Sequence, residues 1–388
     1  MVLQQNVECY RMKLKFIDTT RGIAILMVIL VHTSQQINDI DLISSIVAGY
    51  GQMGVQLFFI VSAYTLCLSS YRRDKESLPL IKFGIRRYFR IAPAYYLALL
   101  IYLLISIIIS KFHEGEFNLP DKYTFENVLT NIFLLHGFYP PANNNIVPGG
   151  WSIGTEMAFY ALFPLLFFII RFKLKSSLRY ILFFVIAGIL CSQFMIYFLG
   201  QFNYNISNNN FIYFNIINQL PVFLICMGYF FLKRQLTFQI NWKLNFLFFV
   251  FFMILAIYLG YSGVDYYFSF IPLISSLSFV FLIELFQKFD FLNQKILIRI
   301  GQVSFSMYLI HFIFAQTITG FLATRVVFIN GTISLLIFYL FSVLITFGFS
   351  LLSERYIEKP SVKYGKKIIQ KLDHRFTAPA ITQNRKIN

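Results

Sequence analysis

Charged side chains are scarce, at 13% of the 388 residues with only 17 acidic ones, against roughly a quarter of the residues in soluble globular chains. Hydrophobic residues reach 57%, above the roughly 45–50% of soluble proteins. A soluble fold of this size cannot hide that much apolar surface. Cysteine is also sparse: Cys9, Cys67, Cys191 and Cys226 are scattered, three of them in apolar runs, without paired or metal-ligand spacing. That pattern argues against disulfides, zinc and redox chemistry. No Gly-x-Ser-x-Gly elbow surrounds Ser62, where Ala63 follows directly, so Ser62 is assigned to helix packing. No internal repeat of the kind found in many transporters is visible. What is abundant is aromatic and apolar: 48 Phe and 24 Tyr, with a mean hydropathy of +0.66. The expected fold is an all-α polytopic integral membrane protein.

Stretches near the ~20 residues needed to cross a bilayer occur ten times. Their approximate limits are 17–34, 43–70, 86–110, 152–170, 179–199, 211–232, 244–260, 266–287, 300–323 and 332–353. The first has an apolar run, 22–31, short enough for a signal peptide. His32, Thr33, Ser34 and Gln35 follow it in place of a small-residue cleavage site, so it is read as a retained helix. Ten spans put both termini on one side. Of the 33 Lys and Arg residues, 29 then fall on that side, Lys111, Lys122 and Arg325 fall on the other, and Arg21 lies within the first span. The positive-inside rule makes both ends cytoplasmic. The net charge of +16 is thus explained by topology, and no nucleic-acid partner is expected. The resulting organisation is a cytoplasmic segment 1–16, a ten-helix domain 17–356 with a long extracytoplasmic loop 111–150, and a basic, partly disordered cytoplasmic tail 357–388. Within the loop, the semi-apolar stretch 128–138 is too short to span and is re-entrant or interfacial.

Charge at the centre of a spanning helix costs roughly 2.5 to 3.5 kcal/mol on insertion scales, so each such group needs a reason. Arg21 and His32 share the first span. At 100° per residue their spacing is three turns plus about 20°, so both leave one face, separated by a rise of about 16 Å. They can serve an anion at one end and proton chemistry at the other, or simply snorkel to the two interfaces. Glu156 follows a Pro148-Gly149-Gly150 turn in Trp151-Ser152-Ile153-Gly154-Thr155-Glu156. It is expected near the depth of His32, where it would orient the imidazole, unless it is a first-turn carboxylate favoured by the helix dipole. Arg87 and Arg90 open the third span as neighbours on one helical face, which suits either a phosphate site or membrane anchoring. His311 follows Tyr308 by three and reads as an interhelical hydrogen-bonding His or a site residue. Glu284 is expected to pair with Lys288 one turn on.

The identity and order of these residues resemble the membrane acyltransferase 3 family, which includes bacterial O-acetylases of surface polysaccharides. The family's Arg, ten residues, His pattern is Arg21 to His32. Its Gly-Val-x-Leu-Phe-Phe-x-x-Ser segment is Gly54-Val55-Gln56-Leu57-Phe58-Phe59-Ile60-Val61-Ser62. The Arg-x-x-Arg entry is Arg87 and Arg90 with Pro93, and the Trp-Ser-x-x-x-Glu motif joins Trp151, Ser152 and Glu156, continuing to Tyr160 and Pro164. Landmarks at 223–228, 304–311 and Glu358-Lys359-Pro360 also fit. Gln56 stands where an acidic residue is frequent, and Ala63-Tyr64 where Gly-Phe is usual.

The resemblance implies transfer of an acyl group, usually acetyl, from cytoplasmic acyl-CoA (acetyl-CoA being the commoner donor in this family) to a hydroxyl at the outer face of a bacterial inner membrane. The acceptor class is a cell-surface glycan, lipid-linked or free: O-antigen, capsule or exopolysaccharide. His32 and Glu156 would be catalytic, with His32 as general base or transient nucleophile. Arg21, Arg87 and Arg90 would bind the CoA phosphates, and Trp151, Ser152, Tyr308 and His311 would support substrate or structure. No metal is implied, and membrane lipids are the only other partner. No esterase-like domain follows the tenth helix, so a stand-alone acyltransferase is expected. The alternative is a transporter or flippase of a lipid-linked or acylated glycan, with the same charges lining its path.

Overall fold

A computed structural model describes residues 2–114, 117, 119–175, 177–201, 210–235, 240–262, 269–325 and 330–377. It is 86% helical, with no strand among the described residues. In hydrocarbon every backbone polar group must be satisfied within its own segment, which leaves such apolar runs no alternative to the helix. The order is α1 (Val2–Ser34), α2 (Leu42–Tyr50), α3 (Gly54–Arg72), α4 (Pro79–Glu114), α5 (Phe125–Ile132), α6 (Gly150–Phe168), α7 (Leu178–Gly200) and α8 (Asn210–Phe214). There follow α9 (Ile216–Gln235), α10 (Trp242–Tyr261), α11 (Ile271–Lys288), α12 (Lys295–Gln302), α13 (Ser304–Phe312), α14 (Thr319–Ala323), α15 (Gly331–Ser353) and α16 (Lys359–Thr377).

Ten helical stretches among the described residues are long and apolar enough to cross a bilayer, and the chain is a polytopic membrane protein. Several limits differ from the sequence reading for physical reasons. α4 begins at Pro79, seven residues before the expected span, and its 36 residues extend about 54 Å. Helices do not stop where hydrophobicity stops: Pro79 is preorganised for a first turn, and Lys and Arg are good helix formers. The ninth span is broken at Val303 between α12 and α13. The tenth continues beyond its apolar part through a π turn, Glu354–Glu358, into α16. The segment after 357, expected as a partly disordered tail, is therefore helical to Thr377, and the rest of it lies outside the described residues. α16 lies along α4, where Asp373 pairs with the buried Lys82.

The interior is organised around α1, which packs against α3, α12, α13 and α15. Its crossing with α12 depends on glycine, since a Cβ on Gly301 would lie 1.8 Å from the Asp18 carbonyl oxygen. α7 and α10 are peripheral, with most of their surfaces unburied. The stretch 128–138 is neither a span nor a single element. It holds the end of α5, capped by Thr124, then a 3₁₀ turn, His136–Phe138. Its polar residues Asn131 and His136 are buried against the protein.

Candidate active site

Helices α1, α3, α4, α6 and α13 enclose a cavity of about 70 Å³. Arg21 enters it from α1, Ser62 and Thr65 from α3, Arg87 and Arg90 from α4, Ser152, Glu156 and Tyr160 from α6, and Tyr308 from α13. Glu156 and Tyr160 are one turn apart, and the Tyr160 hydroxyl donates to the Glu156 carboxylate at 2.5 Å. The Ser62 hydroxyl donates to the same carboxylate oxygen, also at 2.5 Å. The two hydroxyls are 3.2 Å apart. Arg87 completes the group with its guanidinium 5.7 Å from the Tyr160 ring centre, and its Nε is buried without a hydrogen-bond partner. Arg21 donates to Thr65 Oγ1 at 3.3 Å and lies 3.8 Å from the Asp18 carboxylate.

Three guanidinium groups and one carboxylate thus line the wall. The residual positive charge is what an anionic ligand requires, and planar guanidinium donors suit phosphate in particular. The spacing of Arg87 and Arg90 does place both on the cavity.

The upper wall is held by a turn. Gly149 adopts φ 73°, a conformation that costs glycine little, and the turn leaves its carbonyl to accept from the Tyr308 hydroxyl at 3.0 Å. Ser152 in turn donates to the Tyr308 oxygen at 2.8 Å. The structure therefore joins Ser152 and Tyr308 directly. Trp151, by contrast, is buried off the cavity, stacked on Phe214 with ring centres 4.3 Å apart.

His32 lies apart from this group. Its Nδ1 lies 3.0 Å from Gln35 Oε1 and 3.3 Å from Gln316 Nε2; in the tautomer that donates to Gln35, the lone pair is on Nε2. Its ring packs on Phe312 at 4.3 Å and faces His311 at 5.4 Å. His311 is fully buried, and its Nδ1 donates to the Tyr308 carbonyl on its own helix at 2.7 Å. Among the described residues its hydrogen bond thus stays on its own helix, where an interhelical partner had been one of the two readings.

Three other readings change. Glu156 shares its cavity with Arg21 and not with His32: its hydrogen bonds go to Ser62 and Tyr160, so the expected Glu156–His32 pairing is not formed among the described residues. Depth along α6 cannot be matched to depth along α1 without knowing the tilt and offset of the two helices. Ser62, read as packing, is a ligand of Glu156. Glu284 pairs with Lys233 of α9 at 2.8 Å and accepts from Tyr229, where Lys288 had been expected.

The sequence reading missed Thr65, although it is three residues from Ser62 and so adjacent on the α3 surface. It also missed the anchor of the loop 111–150. His136 stacks on Tyr95 with ring centres 5.3 Å apart and donates from Nε2 to the Gly150 carbonyl at 2.9 Å. Tyr95 donates to Asn131 at 2.5 Å. Burial pushes the His136 imidazole down to about 4. Polar residues inside the semi-apolar run 128–138 were the available signal.

The helices thus form a membrane bundle with an arginine-lined interior cavity. The acyltransferase domain family model matches residues 14–355, and the chain belongs to that family. It is 26% identical over 380 residues to the O-acetyltransferase OatA of Staphylococcus aureus (strain NCTC 8325 / PS 47), covering 90% of this chain and 57% of that protein. It is also 29% identical over 149 residues to the acyltransferase MdmB of Streptomyces mycarofaciens, which is 37% of this chain and 36% of that one. The exopolysaccharide production protein ExoZ of Rhizobium meliloti (strain 1021) is 30% identical over 116 residues, 29% of this chain and 33% of its own. The chain thus spans less than two thirds of the length of OatA. No solved structure matches.

Proposed function

We propose that this chain transfers an acyl group, most simply acetyl, from cytoplasmic acyl-CoA to a hydroxyl of a cell-surface glycan across a bacterial inner membrane. The observation that carries the reading is the convergence of Arg21, Arg87 and Arg90 on one interior cavity, with Arg21 on the same helix as the His32 imidazole. The arginines hold the anionic part of the donor through charge-assisted hydrogen bonds, with the unpartnered Arg87 Nε among the available donors. The pantetheine arm then runs along α1 toward His32, about 16 Å of helical rise beyond Arg21. There His32 Nε2 takes the proton from the acceptor hydroxyl as its oxygen attacks the thioester carbonyl. The carbon–sulfur bond breaks, and the CoA thiolate receives a proton in return. Glu156 keeps Tyr160 and Ser62 in place beneath the arginines. The charge distribution along the chain supports both termini facing the cytoplasm.

The test is chemical. Ester-linked acyl groups on surface glycans are compared in cells with the gene, without it, and with His32→Ala. The expected result is loss of one O-acyl group in both defective strains, with the variant still inserted in the membrane. Unchanged esters alongside a fall in exported glycan in the deletion would establish transport instead.

A further inference from the structure

A second cavity, of about 280 Å³, lies between α4, the opposite face of α13, and the end of α15 with its π turn. On α4 it begins at Ala94, one turn beyond Ile91 of the arginine cavity. On α13 the two cavities use different faces: Tyr308 lines the first, Leu309 and Ile310 the second. The helices are tied on either side of the gap. Tyr102 of α4 donates to the Leu309 carbonyl at 3.0 Å, and Phe89 of α4 packs on Tyr364 of α16 with ring centres 5.5 Å apart. Between these ties α4 contributes the small, buried Ala94 and Ala98 beside Leu97 and Ile101, and the two alanines leave the gap open.

Water is a poor occupant. A buried water needs two to four polar partners, and the two serine hydroxyls on the wall are already engaged, while Tyr356 stands at the exposed rim. Ser306 and Ser353 bond each other at 2.7 Å, and Ser306 also donates to the Glu358 carboxylate. The space equals on the order of ten water-sized or methylene-sized groups, at about 30 Å³ each. At the α16 end the wall is formed by Tyr356, which is 63% exposed. The Arg355 guanidinium stands 5.4 Å from its ring centre and has no carboxylate partner among the described residues. The neighbouring Lys359 is paired with Glu354 at 3.3 Å.

We propose that this groove holds one acyl chain of an anionic phospholipid, with the headgroup phosphate on Arg355. The groove lies in membrane-spanning segments, where hydrocarbon is the surrounding solvent, and the cation at its rim selects the headgroup by charge. The lipid comes from the cytoplasmic leaflet if the termini are cytoplasmic. The site depends on the membrane fold and not on the acyl-transfer reading, so either stands if the other fails.

The experiment uses the full chain in nanodiscs of phosphatidylcholine doped with phosphatidylglycerol, one lipid at a time carrying a photoactivatable diazirine on its acyl chain. Cross-links are mapped by mass spectrometry. With labelled phosphatidylglycerol they are expected to concentrate on Leu97, Ile101 and Leu352, and Ala98→Leu, which fills the groove, lowers their yield about tenfold. Phe251→Ala on the peripheral α10 leaves the yield unchanged, and Arg355→Gln removes the preference for phosphatidylglycerol over phosphatidylcholine. Cross-links spread evenly around the bundle, equal labelling by the two lipids in the wild type, or a cross-linked second copy of the chain in the groove would each overturn the proposal. Should Ala98→Leu not fold, the wild-type map and Arg355→Gln decide it without that variant.

Discussion

Replacing Glu156 separates its charge from its hydrogen bonds. The carboxylate accepts from Ser62 and Tyr160, both at 2.5 Å, inside a wall that carries three guanidinium groups. Hydrogen bonds to a charged group contribute about 1.5–3 kcal/mol each. Glu156→Ala therefore removes about 3–6 kcal/mol, of which about 1 kcal/mol returns when the two hydroxyls, already 3.2 Å apart, bond each other. Glu156→Gln keeps an acceptor oxygen, with neutral bonds contributing about 0.5–1.5 kcal/mol each, so its loss is about 2–3 kcal/mol. The expected order of thermal stability in detergent is wild type, then Gln, then Ala. Kinetics in proteoliposomes give a second signature. Removing the negative charge makes the cavity more cationic, so Glu156→Gln lowers kcat without raising the KM for the anionic donor. Equal stability of all three proteins, or a KM rise at unchanged kcat in the Gln variant, would refute this account of the cavity.

Three further outcomes follow from the same structure. Arg87→Lys keeps the charge but loses the planar fork beside Tyr160, and should raise the KM for acyl-CoA by about tenfold, equivalent to about 1.4 kcal/mol; steady-state titration of the donor checks it, and an unchanged KM would count against Arg87 as a donor ligand. His136 is buried with its pKa held down to about 4 against an ordinary 6.5, so folding depresses proton affinity and the loop 111–150 has its full stability above pH 6.5. That stability falls as the pH drops toward 4, by about 1.4 kcal/mol per unit and about 3 kcal/mol in all. Protection factors in residues 127–150, taken relative to the intrinsic exchange rate at each pH, should fall over that window, and His136→Gln should flatten the dependence. Cysteine labelling from outside intact cells should miss both termini and reach a probe placed at Lys122; labelling of either terminus would reverse the topology.

The sequence alone was enough to establish the number of spans, because crossing a bilayer depends on length and hydropathy, both of which are local. It also singled out Arg21, Glu156 and His32, since charge is costly at that depth, and Arg87 and Arg90 as a pair at the start of the third span. It marked the adjacency of Arg87 and Arg90, which one helix's period determines. It did not reveal that Ser62 is a ligand of Glu156, because Ser62 and Glu156 lie on different helices and nothing local to either records their rotation. The grouping of Glu156 with the arginines, and not with His32, was likewise decided by the packing of α1, α3 and α6. So were the choice of Lys233 over Lys288 for Glu284 and the opening of a groove at Ala94 and Ala98. Period and hydropathy describe a helix about its own axis, whereas the offset, tilt and rotation of one helix against another come only from the fit of their side chains in the assembled bundle.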